Sequence, residues 1–350
     1  MSLFLPQLKP NLEAALRDAS SRNVKARIAA AEALGDAKDE DRGRAREALA
    51  LLAGDKEADI RFAAIAGLGR VGDASSWDAV LPRFDDEVAM VREVAVIAAS
   101  QLRDPRAIPR VRRALSDERP EVRFQAVLSL VELEGEEARV ALFPALGDDD
   151  AHVRTNAAAA LATLEADGPT ADRLAKLLRD PDPGVRFEAA LALAKYRDVR
   201  AASELGRHLD HERAYEAIEA IAALGSRERA DDLAKLARSF LKPLELKAAA
   251  AAALAKLGDP RGVPVLRDIV RAFRSDARTY VAEAIGMLGL LELADELVVL
   301  AQRPRGADLV VVVESLAKLL PQKPALRSTL EQLAERDDAI GQKARAALAT

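Results

Sequence analysis

The chain has 350 residues, half of them hydrophobic but only 3% aromatic, and its net charge is −5. Affinity for nucleic acid rests on Lys and Arg against phosphates, so this acidic balance counts against a nucleic-acid binder. With no cysteine, disulfides, thiolate metal sites and cysteine nucleophiles are excluded.

At the N-terminus, MSLFLPQLKP lacks a basic n-region and is interrupted by Pro6 and Pro10, so it does not read as a secretory signal. The strongest apolar runs, residues 248–254 and 309–313, are too short to span a bilayer. A soluble, cytoplasmic protein is expected. Lys and Arg number 31 against 36 acidic residues over 1–209, and 21 against 21 thereafter. The acidic excess therefore lies in the first part.

Further along, a dipeptide recurs at fixed spacing. Ile60-Arg61, Val91-Arg92, Val122-Arg123, Val153-Arg154 and Val185-Arg186 lie 31, 31, 31 and 32 residues apart. A constant period of this size marks a repeat array. Around each anchor, apolar or small residues sit three, four, seven and ten places past the arginine, as in residues 60–71, 122–133 and 185–196. That spacing builds one broad apolar helix face. Residues 102–115 and 257–270 each show Asp-Pro followed by an amphipathic run, which predicts the other helix of the unit, capped by the aspartate.

Carried outward, the ladder places Arg27, Arg61, Arg92, Arg123, Arg154, Arg186, Ala217, Lys247, Arg278, Leu309 and Gly341 in equivalent positions. About eleven two-helix units are predicted, regular over residues 36–197 and degenerate over 198–350, as a single array spanning 1–350. A separately packed C-terminal domain from about residue 227 is the other possibility. The units resemble HEAT repeats, in the short bacterial HEAT-like form first recognised in phycobilin lyases. The matching pieces are Asp-Pro-x-x-x-Pro at 104–109 and 259–264, and an aspartate six residues before the arginine of each Val-Arg or Ile-Arg. The resemblance implies an all-α, right-handed solenoid, and such arrays serve as scaffolds, adaptors, lyases and hydroxylases. Fold does not settle function.

The aspartates and arginines of this motif are Asp55, Arg61, Asp86, Arg92, Asp117, Arg123, Asp148, Arg154, Asp180 and Arg186. They read either as a structural ladder between repeats or as an anion-binding strip. The position after the arginine lies about 160° from the apolar stripe at about 100° per residue. It holds Phe62, Phe124 and Phe187, and one turn on lie Ile97, Leu128 and Leu191. These residues either floor an apolar groove on the concave side or pack between repeats. Burying one phenylalanine stabilises by about 1.5–3 kcal/mol, against an association cost of roughly 4–15 kcal/mol. A useful partner must therefore lie along several repeats.

Arg103, Arg106, Arg110, Arg112 and Arg113 form the densest basic cluster, on an outer helix where a solvated face or a dock for an acidic partner is expected. The lone Trp77 gives no foothold for the HEAT-like DNA glycosylases. His211-Glu212 is one His-Glu dipeptide, whereas the HEAT-repeat deoxyhypusine hydroxylases use four to hold two irons. Catalytic residues, metal ligands and a cofactor site are not expected. The reading is a non-catalytic scaffold or adaptor that binds one or more proteins, through an amphipathic helix or extended segment, along the concave face. The alternative is an enzyme or subunit resembling the phycobilin lyases, acting on a tetrapyrrole-carrying protein. Leu3, Phe4 and Leu5 are apolar at the end of the array, where end-to-end pairing is conceivable.

Overall fold

The computed structural model describes residues 11–272 and 277–349, so the Leu3–Leu5 segment lies outside the described residues. The chain is an all-α solenoid, with no strand among the described residues. Each unit has a short first helix and a longer second helix. The second helices carry the ladder position near their start, as in Ala58–Val71, Ala89–Leu102, Pro120–Glu134 and Ala151–Leu161.

Local chemistry sets the boundaries. Asp150 accepts hydrogen bonds from the amides of His152 and Val153 and opens the helix Ala151–Leu161. The helix Ala58–Val71 ends on Gly72 at φ 72°, a left-handed conformation that glycine adopts without strain. The Asp-Pro motif at 104–105 behaves differently from expectation. The Asp104 carboxylate binds the amide of Arg106, two residues on, and this tight bond sets a 3-10 turn over Pro105–Ala107 before the α-helix Ile108–Ala114 begins.

The described chain divides into two compact units, one ending at Ala189 and one beginning at Ala190. In the first, the second helices pack in sequence, Val24–Gly35 against Ala58–Val71, then Ala89–Leu102, Pro120–Glu134 and Ala151–Leu161. The anchors Ile60, Val91, Val122 and Val153 point into this row and are buried, with Ala30, Ala64, Ala95, Ala98 and Ala157 between them. Small side chains let the helices come close. A Cβ on Gly35 would lie 2.7 Å from the Cα of Gly67 on the next helix, so the crossing needs glycine. In the second unit, Ala214–Leu224, Leu244–Lys256, Arg278–Leu288, Leu309–Leu319 and Ala339–Ala349 form the equivalent row.

Candidate functional site

The arginines and aspartates are joined one repeat apart. Arg61 Nε and Nη2 donate to the Asp86 carboxylate at 2.8 and 2.7 Å, while Nη1 donates to the carbonyls of Asp55 and Lys56. The same bidentate fork joins Arg27 to Asp55, Arg92 to Asp117, Arg123 to Asp148 and Arg154 to Asp180. Arg186 donates to the carbonyls of Asp180 and Pro181. Each aspartate also accepts the amide two residues on, as Asp86 does from Val88. Burial alone would raise the Asp86 carboxyl. The Arg61 hydrogen bonds, the Val88 amide and the guanidinium charges outweigh it and hold the group below the usual carboxylate range.

The other face of the second helices is different in kind. In the first unit, Phe62, Ile97 and Phe124 are half-buried, and Leu128 is 37% exposed. Phe62 joins Ile28 and Met90, from three successive second helices, around a depression of about 410 Å³ with Glu32, Asp59 and Arg70 at its rim. Met90 escapes the sequence reading because it stands two places before the ladder arginine, on the helix's first turn.

Phe187 corrects the expectation of a groove-lining ring. It is 1% exposed and among the largest fully buried side chains. A helix inside a stack touches its mate and its flanking neighbours, so the wheel position opposite the main stripe can also be covered. Leu191, one turn on, is half-buried.

Carboxylates on this face lack partners. Glu32, Asp59, Glu93 and Glu132 make no side-chain hydrogen bond or ion pair among the described residues. Burial, with the Glu121 charge behind it, pushes the Glu93 carboxyl up.

In the second unit, the helices Ala214–Leu224, Leu244–Lys256 and Arg278–Leu288 border a half-open recess of about 500 Å³, around which Glu219, Tyr280, Glu283 and Met287 are exposed. Ala222, Ala252 and Ala253 floor it, and Glu219, Tyr280, Glu283 and Met287 stand around it with Lys256. Sequence reasoning missed this recess. Its signal was the alanine run 248–253 flanked by Tyr215 and Tyr280, two of the three tyrosines of the chain.

The remaining candidates resolve locally. Arg106 pairs with Asp104, Arg110 and Arg113 with Asp85, and Arg112 with Glu134, so the basic cluster is largely neutralised. Trp77 is buried edge-on against Phe84 at 5.8 Å. His208 lies 3.5 Å from Glu204, with its ring 5.4 Å from that of His211. Burial lowers its pKa against the pull of Glu204. Among the described residues there is no group of three or more His, Asp or Glu placed to hold a metal, and no helix is long and apolar enough to cross a membrane. In the degenerate part, Leu241 occupies the aspartate position of the ladder, six residues before Lys247. It stands 94% exposed beside Phe240, which is 100% exposed.

Models of HEAT repeats match residues 9–100, 78–162 and 140–225, and a PBS lyase HEAT-like repeat model matches 246–271. Among solved structures, YibA of E. coli is 22% identical over 71% of this chain and 93% of its own, with a TM-score of 0.58. A chain of the Kap95:Nup1 complex is 14% identical over 95% of this chain and 55% of its own, with a TM-score of 0.67. The CpcE and CpcF complex of phycocyanin lyase from Nostoc sp. is similar at 18% identity, over 73% of this chain and 99% of that one, with a TM-score of 0.42. At such identities the likeness is one of fold. No match to a curated protein was found.

Proposed function

This chain belongs to the HEAT-repeat family, and from that premise we propose that it is a non-catalytic cytoplasmic scaffold or adaptor, holding partner proteins along the concave face of its second helices. The observation that carries this reading is the depression shared by Ile28, Phe62 and Met90, built by three successive second helices. A surface that met only water would place polar side chains there. Ile97, Phe124 and Leu128 extend the apolar character along the row of the first unit, and the carboxylates beside them have no internal partner. An amphipathic helix or extended segment with basic flanks complements such a face. The Asp–Arg ladder, in this reading, holds neighbouring repeats in register.

The test is partner capture from the native extract, quantified by mass spectrometry, with the wild-type chain and with Phe124→Ser, Leu128→Gln. Proteins retained by the wild type are expected to fall at least about tenfold with the variant, a loss of about 1.4 kcal/mol. Unchanged capture by a variant that keeps its helical circular dichroism overturns the reading.

A second reading takes its footing from the PBS lyase HEAT-like match over 246–271: an enzyme or subunit acting on a tetrapyrrole-carrying protein. Incubation with a bilin decides it. A specific red-shifted complex supports the lyase, and an unchanged spectrum removes it.

A further inference from the structure

We propose that the second unit carries a receptor for one cationic side chain, arginine or lysine, presented by a partner polypeptide to the cavity between Glu219, Tyr280, Glu283 and Met287. The proposal rests on the scaffold reading only in taking the partner to be a protein.

Three features of the cavity converge. Its lining includes the alanine methyls of Ala222, Ala252 and Ala253, which leave a half-open recess of about 500 Å³, roomy enough for a long side chain to lay its aliphatic stem against apolar surface. Its walls bring a tyrosine ring and two carboxylates together. A guanidinium or ammonium is attracted to aromatic faces, and carboxylates over an apolar floor bind it more strongly than in open water.

The third feature is the unmet charge. Several acidic groups of this unit are paired, Glu296 with Arg271, Asp259 with Arg261, Asp198 with Arg200, Glu314 with Lys343 and Asp338 with Arg336, and others such as Asp268 and Asp337 are not; what sets this recess apart is that two unpaired carboxylates face one tyrosine across an apolar surface. Glu219, Glu283 and the neighbouring Glu245 have no ion pair or hydrogen bond among the described residues. Lys256 is the one base lining the cavity, against two acids. Burial, and then the charges of Glu219, Glu283 and the nearby Tyr215, hold the Tyr280 hydroxyl above its ordinary range, so these groups act on one another at the site. Tyr215 is raised likewise, by burial and then by Glu245. A phosphate or an acidic peptide would meet like charge here. The half-open rim, with Met287 exposed, gives an apolar shoulder to residues flanking the cation.

Four fluorescein-labelled peptides decide the matter, identical except for a central arginine, lysine, citrulline or glutamate set between leucines. They are titrated against the full chain by fluorescence polarisation at low and high salt. The arginine and lysine peptides are expected to bind, with citrulline at least about tenfold weaker and glutamate silent. E219Q with E283Q is expected to weaken the arginine peptide at least about tenfold and to leave citrulline unmoved. Because the chain has no cysteine, Met287→Cys provides a single thiol, which the arginine peptide is expected to shield from maleimide. Equal binding of arginine and citrulline, an unaltered affinity in the folded E219Q/E283Q chain, no shielding, or no binding by about 1 mM each overturns the proposal. Shielding that grows with protein concentration without peptide overturns it in favour of a second copy of this chain. Phe124→Ser, Leu128→Gln is expected to leave peptide binding intact. Partner capture lost in that variant, with no discrimination among the peptides, defeats the receptor and leaves the scaffold reading standing.

Discussion

Arg61 and Asp86, 25 residues apart in sequence, share two parallel hydrogen bonds of 2.8 and 2.7 Å with side chains only 6% and 3% exposed. The guanidinium also satisfies the carbonyls of the loop before its own helix. One side chain therefore ties its own turn to the next repeat. A buried, bidentate pair of this kind is costly to break, because the survivor is left charged and unmatched.

Asp86→Ala or Arg61→Ala is expected to lower stability by about 3–5 kcal/mol, whereas Arg61→Met combined with Asp86→Leu recovers most of the loss. Urea denaturation checks this, with hydrogen exchange locating the opening in a repeat array. Arg44→Ala, which removes an equally short but exposed bond to Glu13, is expected to leave the midpoint near that of the wild type.

Acid is expected to loosen the ladder. In Asp55, Asp86, Asp117, Asp148 and Asp180, burial raises the carboxyl, but arginine hydrogen bonds, backbone amides and guanidinium charge bring it below its ordinary value. A carboxyl whose folded pKa is depressed stabilises the fold above its unfolded pKa, and the contribution disappears as pH falls through the folded value. The urea midpoint should therefore hold steady from neutrality to about pH 5 and fall below about pH 4. A midpoint unchanged at about pH 3 contradicts the assignment.

Phe187→Ala is expected to destabilise by about 3–5 kcal/mol, as for a fully enclosed ring, and Leu128→Ala by less than about 1 kcal/mol. Thermal and urea denaturation of the two variants separate a core residue from a surface one.

Arg103 ends the helix Ala89–Leu102 at φ 50°, in the conformation that Gly72, Gly225 and Gly289 adopt at equivalent helix ends. A left-handed residue with a Cβ carries a strain of about 1–2 kcal/mol, partly offset by the extra freedom glycine has when unfolded. Arg103→Gly is expected to stabilise by about 0.5–1 kcal/mol, and a lowered midpoint contradicts the strain.

The two-helix period, the buried anchors and the membership of Asp86 and Arg61 in one recurring motif could be read from sequence because each depends on local spacing. Burial of the ring after the arginine could not. Phe62 and Phe187 share a wheel position, yet one lines a depression and the other is sealed, since the outcome depends on the size of side chains brought in by other helices. The cavity beside Tyr280 was hidden for a related reason. Its walls come from Glu219, Glu283 and Met287, which occupy places the repeat template leaves free, and its depth comes from what alanine lacks.

The offset of the Arg–Asp fork has an evolutionary corollary. Each of these rungs takes its base from one module and its acid from the next, so an excision of residues 87–117 leaves Asp86 gripped by Arg61 and brings Arg123 to the Asp86 carbonyl that Arg92 held before. The array can thus shed or duplicate a whole cassette without inventing a new contact, and its length is free to vary while its joints stay the same.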